Sequence, residues 1–89
     1  MNSPLRVVDG KKFATFDGII LEVFGVSGRM DSQRLPVNMI EKLDVVAAGD
    51  EWMFMIKTHQ SGLSLAISAE KKAEWEQLAQ EVKNALLLI

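Results

Sequence analysis

The stretch AEKKAEWEQLAQEVKNALLL, Ala69 to Leu88, decides the fold. Trp75, Leu78, Ala79, Val82, Ala85, Leu86 and Ile89 recur at helical spacings of three and four, an apolar stripe along one side of a helix. Lys71, Lys72, Glu76, Gln80, Lys83 and Asn84 supply the opposite, polar side. Before Ser68 the chain reads as short strands separated by turn residues, with no second helix of comparable length. One amphipathic helix after a run of strands must bury its stripe on a sheet.

Working outward, the chain has 89 residues and no cysteine, so it is read as one domain held by packing alone or by association with another chain. Hydrophobic residues make up 48% and charged ones 25%, which excludes a disordered tail. A net charge of −2 lacks the basic footprint of a nucleic-acid or anionic-lipid binder, so no nucleic-acid partner is expected. The longest apolar run, Ala85 to Ile89, falls far short of the roughly 20 residues a bilayer requires, so no membrane span is expected. Residues 1–12 have no apolar segment of the signal-peptide kind. The absence of cysteine suits a cytoplasmic location.

Residues 1–4 read as a loose end. Leu5 to Val8 is a strand, and Asp9-Gly10 a turn. Phe13 to Phe16 and Ile19 to Phe24 flank Asp17-Gly18, the preferred chemistry of a two-residue type I′ hairpin. Gly25 to Ser32 reads as a loop. Leu35, Val37 and Met39 alternate with polar residues and Pro36, giving a strand whose proline belongs at an edge. A turn near Met39 to Glu41 then leads into a strand from Lys42 to Ala47; a short helix from Val37 to Leu43 is the alternative. After Gly49-Asp50-Glu51 come strands Trp52–His59 and Leu63–Ser68. Ser68 is placed to cap the helix, and Glu70 and Glu74 suit its N-terminal dipole. The expectation is six to seven antiparallel strands forming a partly open barrel, closed by the C-terminal helix.

Three features give this pattern a likeness to known domains: the strand order ending in one long helix, the segment Arg34-Leu35-Pro36-Val37-Asn38-Met39-Ile40-Glu41-Lys42-Leu43, and the junction Leu63-Ser64-Leu65-Ala66-Ile67-Ser68. Over nearly its whole length the chain resembles the bacterial branch of the pleckstrin-homology-like (PH-like) superfamily. The resemblance implies a barrel capped by a helix; it implies no particular activity, because that fold hosts many unrelated binding roles. Domains of this kind that bind phosphoinositides collect bases in the loop between their first two strands, where Lys11 and Lys12 stand here. Their pattern continues with bases on the next strand, where this chain has Phe13-Ala14-Thr15-Phe16.

No catalytic, metal-binding or cofactor-binding set emerges. His59 is the only histidine and has no second histidine or cysteine to join it at a metal. Glu22 is the one carboxylate inside an apolar strand, and its plainer reading is a solvent-facing polar residue. Met53 and Met55 alternate with Trp52, Phe54 and Ile56. If the latter three face the core, both methionines face outward, with Met39 and Ile20 doing likewise on their strands. A strand apolar on both faces is covered twice or lies in an interface, and methionine suits adaptable contacts. The expected function is therefore a non-enzymatic protein–protein interaction module, self-associating as a homo-oligomer. The alternative is a small anionic ligand or lipid headgroup held at the turns around Lys11, Lys12 and Arg29.

Overall fold

The computed structural model describes residues 5–25 and 33–88. Four strands, β1 (Leu5–Asp9), β2 (Lys12–Phe16), β3 (Ile20–Phe24) and β4 (Gln33–Pro36), form one antiparallel sheet in that order. Three more, β5 (Ile40–Ala48), β6 (Glu51–Thr58) and β7 (Gly62–Ile67), form the second. A 3-10 turn, Val37–Met39, links the two. The helix α1 (Lys72–Leu86) follows a 3-10 turn at Ala69–Lys71. The sheets stay separate and do not close on each other, so the architecture is a mainly β, partly open barrel with one C-terminal helix.

Alternation along each strand builds the core. From the first sheet Val7, Ala14, Phe16, Leu21 and Val23 point inward; from the second, Leu43, Phe54, Ile56, Leu65 and Ile67. The helical stripe lands between them, with Trp75, Leu78, Ala79 and Val82 buried. The Trp75 ring meets Phe54 with centroids 5.1 Å apart and planes at 57°, a tilted aromatic contact. Packing of α1 is most extensive on β5 and reaches β1 and the Val37–Met39 turn. Ala85 and Leu86 are half-buried, Leu87 and Leu88 stand exposed, and Ile89 lies outside the described residues.

Ser68 caps the 3-10 turn that leads into the helix, its hydroxyl accepting from the Lys71 amide at 3.3 Å, whereas α1 itself starts one turn later, with Lys71 at its N-cap position and no side-chain cap. Pro36 lies on β4, an edge strand, where a missing amide donor costs least. Three expectations are corrected. The turn expected at Met39 to Glu41 falls at Val37–Met39, and β5 already starts at Ile40. Neither the Leu35–Met39 strand nor the Val37–Leu43 helix forms as such. The Asp17-Gly18 hairpin is not a two-residue turn either. Such a turn would pair Phe16 with Ile19, whereas Phe16 pairs with Leu21.

The reason is the Asp17 side chain, whose Oδ1 accepts from the amides of Ile19 (2.9 Å) and Ile20 (2.8 Å). Those bonds tie up a longer loop, in which Gly18 alone has positive φ, at 100°. A type I′ turn needs positive φ at both central residues, and Asp17 does not adopt it. Because the register moves by two, the inward-facing set is unchanged. Opposite neighbours do change, and Phe13 now faces Phe24 instead of Glu22. The expected Gly25–Ser32 loop lies outside the described residues apart from Gly25.

Candidate interaction surface

Strand β6 carries apolar side chains on both faces. Phe54 and Ile56 are buried in the core, Met53 is half-buried, and Met55 is 47% exposed on the opposite side. Register shows what surrounds them. Met53 lies between Val46 and Ala66, and Met55 between Asp44 and Ser64. One step further, Lys57 lies between Lys42 and Gly62; at the other end Glu51 faces Ala48. Together these residues make the outer face of the second sheet, with a shallow concavity of about 410 Å³ whose walls include Lys42, Val46, Met55 and Lys57. Asp44 belongs to this face by alternation, but its carboxylate turns to the Lys83 ammonium of α1 at 2.7 Å.

The other two expected interface residues sit elsewhere. Ile20 is half-buried on the outer side of the first sheet, opposite Pro36. Met39 is 40% exposed in the link between the sheets, its carbonyl taking the His59 amide at 3.2 Å. Met53 and Met55 thus form one surface, and Ile20 and Met39 do not join it. Sequence reading missed a second outward pair: Phe13 and Phe24 stack with centroids 5.2 Å apart and planes at 17°. The signal was present in the parity of β2, since Ala14 and Phe16 inward put Phe13 and Thr15 outward. Glu22 is half-exposed, as expected of a polar residue on that side, with the Arg34 guanidinium 3.8 Å away.

At the β1–β2 turn the basic residues part company. Lys11 is exposed, whereas the Lys12 ammonium donates to the Ala66 carbonyl on β7, tying the first sheet to the second. Arg29 lies outside the described residues. Asp9 next to them is a junction: one carboxylate oxygen accepts from the Ser68 amide (2.8 Å) and from the Trp75 indole (3.1 Å). Partial burial pushes the Asp9 carboxyl up, but those hydrogen bonds and the Lys12 charge together outweigh it and hold it below the usual carboxylate value.

Gly25 packs closely on Lys12: it has φ of 101°, and an added Cβ would sit 2.5 Å from Lys12 Cγ and 3.0 Å from its Cα. Gly25→Ala should therefore cost about 1–3 kcal/mol of stability through backbone strain and displacement of Lys12. Urea unfolding checks this, and an unchanged midpoint would refute the close approach.

Among the described residues no cluster of three or more histidine, cysteine or carboxylate ligands could hold a metal. His59 stands largely exposed, with its nearest carboxylate, Glu41, 3.9 Å away. Among the described residues no helix is long and apolar enough to cross a membrane. The fold and surface define a small, mainly β domain with one capping helix and an outward apolar sheet face. Compared with family models, curated proteins and solved structures, the chain finds no match.

Proposed function

We propose that this chain is a non-enzymatic, PH-like interaction module of the cytoplasm that associates with a second copy of itself. The observation that carries the reading is β6: its inner residues complete the core, yet Met53 and Met55 continue as an apolar row on the outside. Packing inside one chain already accounts for Phe54 and Ile56. It gives no reason for two large flexible apolar side chains on the opposite face, beside Val46 and Ala66.

The sheet face is favoured over strand addition at an edge, the other route open to such a barrel. On β7 the Ala66 carbonyl is occupied by Lys12, and the Ser68 amide just beyond it by Asp9. On β5 and on β1, one edge of the first sheet, the helix packs alongside, and Lys83 holds Asp44 of β5. On β4 Pro36 lacks an amide to donate.

Sedimentation velocity over a concentration series tests the proposal. The wild-type chain should show a dimer or larger species that grows with concentration. Met53→Lys should shift it to monomer without changing the fold by circular dichroism, because the ammonium would have to be desolvated in the contact. Salt-sensitive binding of the monomer to anionic vesicles, lost on Lys11→Glu, would favour the anionic-ligand alternative instead.

A further inference from the structure

The outer face of the second sheet is not uniformly apolar; its charges are sorted along the strands. At one end Lys42 and Lys57 stand directly opposite each other, an arrangement that isolated strands avoid. Glu41 lies 3.9 Å from Lys57 and offsets it only in part, both side chains being largely exposed. At the other end Glu51 leads β6, with Asp50 beside it in the turn, both exposed. Between the two ends lie Met55, Met53, Val46 and Ala66, with Ser64 and Asp44 flanking Met55, the Asp44 charge being matched by Lys83 of α1. The face therefore runs cation, apolar, anion over the seven residues from Lys57 to Glu51, six steps and roughly 20 Å at strand rise.

Resting on the self-association proposed above, we infer that two copies stack these faces about a two-fold axis that lies between the sheets and runs across the strands. A two-fold contact places each patch on its own counterpart, so only a self-complementary surface serves. With the strands of the two copies kept aligned, two axes can bring this face onto itself. An axis along the strands puts Lys57 over Lys57 and Glu51 over Glu51, pairing like with like. An axis across the strands, level with Phe54, reverses them. Lys57 then meets Glu51 of the second copy, and Met55 meets Met53, because both pairs are centred on residue 54.

The charge order thus selects one of the two geometries, and it does so twice per dimer. Three strands offer a strip only about 10–15 Å wide, so the buried area falls below the roughly 800 Å² per partner of a standard interface. The dimer is accordingly weak, and salt weakens it further.

Sedimentation to about 1 mM chain reaches the weak range where such a dimer forms. Lys57→Glu and Glu51→Lys should each weaken self-association about tenfold or more, since each places two like-charge contacts in the dimer. An equimolar mixture of the two variants should regain wild-type association as a heterodimer, as should the chain carrying both changes. Recovery on mixing cannot come from variants that fail to fold. If the wild type dimerises and Met53→Lys abolishes it, but the reversals have no effect or mixing restores nothing, the stacking geometry is wrong while the interface reading stands. If the wild type is monomeric throughout, both fall.

Discussion

Trp75→Ala should be the most damaging single change outside the strands, lowering stability by about 3–5 kcal/mol. The side chain is fully buried, touches Phe54 across the barrel, and donates its indole N–H to Asp9. Alanine removes all three at once and leaves a void between the helix and both sheets, which close packing around it cannot refill. In a domain of this size such a loss moves the thermal midpoint down by some 15 °C or more. Trp75→Phe separates the contributions. It keeps most of the apolar volume and drops the indole donor, so a loss of about 1–2 kcal/mol is expected. Differential scanning calorimetry checks both. A Trp75→Ala protein that melts within a few degrees of wild type would show that the helix does not hold the sheets together.

The central place of Trp75 was legible in the sequence because a helix stripe is a local pattern, repeated within one turn of itself. The same holds for β6, where strict alternation separates Phe54 and Ile56 from Met53 and Met55, and for Pro36, whose missing donor restricts it to an edge. What the sequence concealed depends on partners far away along the chain or on turn geometry. Asp9 reads locally as a turn residue before Gly10, yet its partners Ser68 and Trp75 lie 59 and 66 positions later. Lys12 reads as a free surface base, yet its ammonium lies on β7. No periodicity encodes those pairings. The stacked pair Phe13 and Phe24 was hidden differently: face parity placed Phe13 outward, but its neighbour depended on a loop length that the Asp17 side chain settles. Charge order on the outer sheet face follows from strand parity alone once the register of β5 on β6 is known.

Asp9 carries the second large effect, and its acid dependence distinguishes charge from shape. Asp9→Ala should cost about 2–3 kcal/mol near neutral pH, because the Ser68 amide and the indole of buried Trp75 both lose their acceptor. Asp9→Asn keeps an acceptor oxygen and should cost about half as much. The signs then follow from linkage. The folded carboxyl is held below its ordinary value of 3.8, so the native state favours the ionised form more than the unfolded chain does. Its contribution is complete above that value and is lost as the pH falls below it, through the folded pKa. Asp17, lowered by the Ile20 and Ile19 amides, acts in the same direction over the same range. Wild type minus Asp9→Asn removes that shared background. The stability difference between the two proteins should be constant from pH 7 to about 5 and shrink steadily below about pH 4. Urea midpoints measured across that range provide the check. A difference that stays flat to pH 2.5 would mean that Asp9 works by geometry alone, with no help from its charge or from Lys12.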